Sequence, residues 1–161
     1  MSSVITIIQK KRLAGDERIL KNEPLEYITA YPDKDHPLTW YFLIFGQPDS
    51  PYDGGHFIGK IVHSNEYPTK PPDYYMLTPS GRYEINKKIC LSNSSFHKGE
   101  WSISWNIKSI LIGFYSVFID DSEHGISHIH LTSSERIKLA QKSKEYNIEN
   151  YPEIYSNFNI Q

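Results

Sequence analysis

Between Leu25 and Leu77 the chain carries four short runs of β-type residues in succession, joined by short loops rich in turn formers. Parallel neighbours need a long crossover, so this spacing predicts an antiparallel meander. The strongest run, Leu38-Thr39-Trp40-Tyr41-Phe42-Leu43-Ile44-Phe45, is aromatic and β-branched and is stopped by Gly46 and Pro48. His56–Val62 follows, entered through the turn Tyr52-Asp53-Gly54-Gly55, and shorter strands are expected near Glu26–Ala30 and Asp73–Leu77.

Helical patterns flank these runs. Residues 3 to 22 read as a helix with Ser3 as N-cap and Pro24 marking its exit. Gly15 inside it costs about 1 kcal/mol relative to alanine. Trp105–Ile119 places Ile107, Ile110, Leu111, Phe114 and Phe118 on one stripe, as a core-facing helix does. Thr132 is positioned to cap a further helix, with Glu135 closing a capping box and Ile137 and Ala140 facing inward. Residues 148 to 159 form a last short amphipathic piece. The expected fold is α+β, in a single domain over residues 1–161, with an N-terminal helix, a four-stranded meander, a long loop and C-terminal helices.

With 161 residues, 39% hydrophobic and 22% charged, the chain has the make-up of a soluble globular domain. A net charge of −2 gives no field that would draw it to nucleic acid or to a membrane surface. Val4-Ile5-Thr6-Ile7-Ile8 is too short for a signal-peptide core, and no window approaches the ~18 apolar residues of a spanning helix. A single cysteine suits a reducing compartment, so a cytoplasmic setting is expected; a monomer is the separate expectation for the chain's oligomeric state. Asn93-Ser94-Ser95 matches a glycosylation acceptor by chance in such a setting.

Residues 78 to 104 hold Pro, Gly, Ser and Asn without a sustained period, and loops of that length in compact domains are usually functional. Cys90 lies inside this stretch. Having no partner for a disulfide within the chain, it is either a buried inert thiol or one whose own chemistry matters. His124, His128 and His130 suggest a metal trio by count only; no further cysteine or spaced pair accompanies them, so no metal is expected.

Several ordered motifs surround Cys90: Tyr67-Pro68-Thr69-Lys70-Pro71-Pro72, Thr78-Pro79-Ser80-Gly81-Arg82, Cys90-Leu91-Ser92, Phe96-His97 and Trp101-Ser102. Together they resemble the ubiquitin-conjugating enzyme (UBC) fold over roughly residues 4 to 157. The likeness is greatest to the J-type branch, which is tail-anchored in the endoplasmic reticulum and serves protein quality control. The resemblance implies that Cys90 accepts the C-terminal carboxyl of ubiquitin as a thioester from an activating enzyme. It implies passage of that acyl group to substrate lysine, with Ser and Thr hydroxyls as further candidate acceptors, and no cofactor. A J-type chain normally continues into a membrane anchor; residues 1–161 hold no such segment.

The same resemblance distributes the remaining roles. Most of the family carries His-Pro-Asn where this chain has Thr78-Pro79-Ser80, so Ser80 puts side-chain stabilisation of the oxyanion in doubt. Asn86 is either a substitute amide or a turn residue. His97 is a candidate base for hydroxyl acceptors, which need a proton removed during attack, or a loop histidine bonded to backbone. Asp120, Asp121 and His124 fall at the expected acceptor-site rim. Lys10, Lys11 and Arg12 lie on the helix that usually meets the activating enzyme. His63, Ser64 and Asn65, with Ile103 and Ser104, match places that usually meet RING-type ligases; His63 and Ile103 replace common Phe and Pro, which implies weaker engagement. The rival readings are an inactive ubiquitin- or ligase-binding relative, a carrier of another ubiquitin-like modifier, and an independent cysteine hydrolase.

Overall fold

A computed structural model describes residues 5–89, 101–120 and 128–160. Its elements are α1 (Ile7–Asn22), β1 (Ile28–Pro32), β2 (Thr39–Phe45), β3 (His56–Val62), β4 (Asp73–Met76), α2 (Ile107–Phe118), α3 (Ser133–Asn150) and α4 (Pro152–Ser156). The strands form one antiparallel sheet in the order β1-β2-β3-β4, the meander expected from the loop lengths. Pro32 is tolerated because β1 is an edge strand, where a missing N–H breaks no ladder on the outer side.

Alternation along the strands sorts the side chains. Trp40, Phe42 and Ile44 of β2 and Phe57 and Ile61 of β3 join the main core under α2, whereas Leu43 and Ile58 face the other way. That second face is covered by Tyr151, Ile154, Tyr155 and Phe158 from the C-terminal piece. Burial on both faces explains why β2 reads as a continuous apolar run. α2 supplies the rings that fill the main core: Phe114 lies 5.2 Å from Phe42 and stacks on Tyr74 at 5.0 Å, and Phe118 meets Tyr52 at 4.9 Å. Gly59 pairs with Phe42 in the ladder, and a Cβ there would sit 2.2 Å from the Phe42 ring. Only glycine admits that ring.

Two helix starts and the facing of one side chain differ from expectation. α1 begins at Ile7 because Thr6 and Gln9 close a capping box, with the Gln9 N–H donating to Thr6 Oγ1 and the Thr6 N–H to Gln9 Oε1; Ser3 lies outside the described residues. α2 starts at Ile107, capped by Asn106. Ile137 faces solvent, 45% exposed, while Arg136, Ala140, Ser143 and Asn147 turn inward. The predicted Thr132–Glu135 capping box is present, but α3 docks through a largely polar stripe, which apolar periodicity cannot find.

His63, just past β3, is 3% exposed with both ring nitrogens unpartnered among the described residues, its ring 4.2 Å from that of Tyr67. Burial pushes its pKa down to about 4 from an ordinary 6.5. The unfolded chain therefore takes up a proton that the folded chain refuses as pH falls from about 6.5 towards 4, and stability falls with it, at a limiting slope of ~1.4 kcal/mol per pH unit. His63→Phe keeps the ring and removes the unpaired donor, whose burial costs about 1–3 kcal/mol. Urea unfolding at pH 7 should show the variant more stable by about 1 kcal/mol, and part of the acid loss between pH 6.5 and 4 should disappear. Equal acid sensitivity of both proteins would contradict this account of His63.

Candidate active site

The stretch leading to Cys90 is irregular in sequence yet held residue by residue. Thr78 Oγ1 accepts from the Ile58 N–H at 2.9 Å and donates to Asn147 Oδ1 at 2.5 Å, and Asn147 Nδ2 donates to the His56 carbonyl at 2.8 Å. Thr78 and Asn147 are both fully buried, so this polar chain fastens the segment to α3 and β3 with no unpaired side-chain atom. Ser80 is also buried, its Oγ accepting from the Arg82 N–H at 3.2 Å. Gly81 adopts φ +83°, and a Cβ there would lie 2.9 Å from Arg136 Cγ, so both conformation and space require glycine. Beyond Tyr83 the chain runs beside β4: Met76 bridges Ile85, the Asn86 N–H donates to the Met76 carbonyl at 2.8 Å, and the Ile89 N–H donates to the Tyr74 carbonyl at 2.9 Å. Ile89 is buried, so Cys90 follows directly on a pinned core residue.

The far flank is fixed by Trp101. Its indole N–H donates to the Pro68 carbonyl at 3.1 Å, and its ring lies 5.6 Å from that of Trp105. The Tyr67–Pro72 run is in turn clasped by α1. Gln9 Nε2 donates to the carbonyls of Asn65 and Tyr67 at 2.8 and 2.9 Å, and the Tyr67 hydroxyl donates to Asp16 Oδ2 at 2.8 Å. Burial pushes the Asp16 carboxyl up, against the Tyr67 hydroxyl and Arg12 guanidinium, which pull it down. Arg12 reaches the opposite way, donating through Nη2 to the carbonyls of Ile103 and Trp105 at 2.5 and 2.8 Å.

Cys90, His97, Asp121 and His124 lie outside the described residues. Asp120 is described and exposed at the end of α2. Asn86 is exposed with φ 59°, a turn conformation asparagine tolerates. Lys10 and Lys11 are exposed, whereas Arg12 is half-buried and engaged with the 103–105 loop. His63 is sealed inside, so its ring is not part of the surface that Asn65 presents; Ser64 is half-buried, its Oγ accepting from the Glu66 N–H at 3.1 Å. Ile103 is 55% exposed and Ser104 is exposed beside it. Sequence reasoning missed Gln9, Asp16, Thr78, Arg82 and Asn147. The first two had a signal: with Leu13 and Leu20 they recur at intervals of four, three and four, the spacing of an inward helical stripe.

The profile of the family described as ubiquitin-conjugating enzyme matches residues 12–149. Ubiquitin-conjugating enzyme E2 6 of Eremothecium gossypii is 39% identical over 142 residues, covering 88% of this chain and 58% of that protein. Ubiquitin-conjugating enzyme E2 J2-like of Dictyostelium discoideum is 38% identical over 139 residues, covering 86% and 81%. Among solved structures, human ubiquitin-conjugating enzyme E2 G1 superimposes with a TM-score of 0.56 at 25% identity, over 71% of this chain and 93% of that one. The chain thus spans about three fifths of the length of the fungal relative. Among the described residues no helix is long and apolar enough to cross a membrane. A meander packed on α2, a helical clasp at its N-terminal end and the matched profile agree: the chain belongs to the ubiquitin-conjugating enzyme family.

Proposed function

We propose that the chain carries ubiquitin as a thioester on Cys90 and delivers it to substrate lysine. What supports this most is the position of the one thiol, immediately after the pinned Ile89 and within a family match that runs through it. In loading, the Cys90 thiolate attacks the carbonyl carbon of the thioester on the activating enzyme, whose own thiolate leaves. In discharge, a neutral lysine amine attacks the Cys90 thioester, the Cys90 thiolate leaves, and the amine gives up its proton. One thioester replaces another in the first step, so little free energy is lost, and covalent catalysis divides a hard acylation in two.

Ser80 serves this chemistry through the loop, since its hydroxyl is buried and occupied by the Arg82 N–H. Asn86, with no side-chain partner among the described residues, is the candidate donor to the oxyanion. The exposed Asp120 is assigned to receiving the amine, and the same role is assigned to Asp121 and His124, which lie outside the described residues. Lys10 and Lys11 face the activating enzyme, where complementary charge speeds encounter. The exposed Asn65, Ile103 and Ser104 are offered to a RING-type ligase. The lone thiol suits a cytoplasmic setting.

Incubation with activating enzyme, ATP and ubiquitin should yield a conjugate cleaved by reducing agent. Cys90→Ala should abolish it, and Cys90→Ser should convert it to an ester labile to hydroxide but not to thiol. Absence of any adduct on the wild-type protein would leave only a binding role. Replacing ubiquitin by another ubiquitin-like modifier and its activating enzyme should give no adduct.

His97 acts as the base for hydroxyl acceptors. Discharge to serine or threonine should fall on the order of 10²-fold in His97→Ala, while discharge to lysine at pH 8 changes little, because a fraction of the amine is already neutral. A parallel fall for both acceptors would remove His97 from that role.

A further inference from the structure

Arg82 is fully buried, yet among the described residues it has no carboxylate partner. Its guanidinium spends its donors on two separate pieces of chain. Nη2 donates to the carbonyls of Val117 and Asp120, at 3.3 and 2.9 Å, at the C-terminal end of α2. Nη1 donates to Nδ1 of His128 at 3.0 Å. A guanidinium only donates, so His128 is held as the tautomer with its proton on Nε2. The guanidinium carbon lies 4.5 Å from the centre of the Tyr83 ring, which meets the His128 ring edge-on at 4.8 Å. Main-chain bonds reinforce the junction: the Ile129 N–H donates to the Arg82 carbonyl at 3.0 Å and the Leu131 N–H to the Gly81 carbonyl at 3.2 Å.

Capping of α2 alone does not require this arrangement. A lysine would answer the helix dipole equally well. What needs a planar fork is simultaneous contact with the end of α2 and with His128, eight residues beyond Asp120 in sequence. The same residue opens the 82–89 segment that runs alongside β4 to Cys90.

We propose that Arg82 is a positioning residue for the acceptor side of the reaction. It locks Asp120 and His128 against the 82–89 segment, which precedes Cys90 in sequence, and so fixes where an incoming amine is received. This rests on the carrier reading given above. Loading by the activating enzyme draws on α1 and the thiol, whereas attack by an amine draws on the rim, so a fault at Arg82 separates the two.

The test uses the whole chain, loaded with ubiquitin, separated from activating enzyme and ATP, and followed during discharge to free lysine and to water. Arg82→Lys keeps the charge but loses the fork, and His128→Ala removes one of its acceptors. Both should slow discharge to lysine on the order of 10-fold while hydrolysis changes by less than about twofold, as expected when an acceptor is misplaced rather than the thioester altered. His128→Asn, which offers an amide oxygen near the place of Nδ1, should recover lysine discharge to within about threefold of wild type. If Arg82→Lys does not fold, the half-exposed His128 variants decide the matter. Unchanged lysine discharge, an equal fall in lysine discharge and hydrolysis, or failure of His128→Asn to recover would each overturn this role for Arg82. Failure of the wild-type protein to load at all would overturn the carrier reading and the Arg82 role together; loaded wild type with unaffected variants overturns the Arg82 role alone.

Discussion

A buried positive charge, with no carboxylate beside it among the described residues, constrains this fold more than any apolar contact. Removing a guanidinium from water costs several kcal/mol even after relaxation, and that cost must be offset locally. Around Arg82 the offset comes from neutral groups: the last carbonyls of α2, the lone pair of His128 and the face of Tyr83. Nε has no hydrogen-bond partner among the described residues, so within them the remaining donors carry the compensation. Shifting the C-terminus of α2, the 81–83 segment or the 128–131 segment would strand the charge. The position of α2 over the sheet is thereby tied to the course of the chain approaching Cys90.

The same device recurs wherever a loop near the site is held. Gln9, Arg12, Trp101 and Asn147 each donate from a side chain to a backbone carbonyl on another part of the chain. The ion pairs of the region, Lys70–Glu66, Lys87–Glu84 and Lys88–Asp73, join side chains that are 43% exposed or more, and such pairs contribute at most about 1 kcal/mol each. Hydrogen bonds to fixed carbonyls also specify direction, which screened surface charges do not. The flanks of the cysteine segment are therefore set by geometry that salt leaves largely intact.

This division explains what could be read from the sequence. Strand number and order followed from loop lengths, and the stripe Ile107, Ile110, Leu111, Phe114 and Phe118 followed from helical periodicity, because both report apolar burial directly. Polar docking leaves no such trace. Ile137 looked like a core residue by spacing, but α3 is seated by Arg136, Ser143 and Asn147, whose partners Tyr52, His56 and Thr78 are 65 or more residues distant in the chain. Arg12 read as one of three equivalent basic residues, and only the approach of the 103–105 loop separates it from Lys10 and Lys11. The family resemblance places His63 at a ligase-facing surface; its burial against Tyr67 depends on how the Tyr67–Pro72 run folds back.

Arg12 also bears on how the exposed face of α1 and the 103–105 loop relate. α1 turns Gln9, Leu13, Asp16 and Leu20 inward and leaves Ile7, Ile8, Lys10 and Lys11 exposed, with Arg12 at the border. Its guanidinium satisfies two carbonyls of the loop that exposes Ile103, and it lies close enough to Asp16 to favour the ionised carboxylate. An anionic group that drew Arg12 outward would release both carbonyls and remove one of the groups that hold the Asp16 carboxyl down against its desolvation. The exposed stripe of α1 and the 103–105 loop thus share one side chain, and neither surface can be engaged through Arg12 without a consequence for the other.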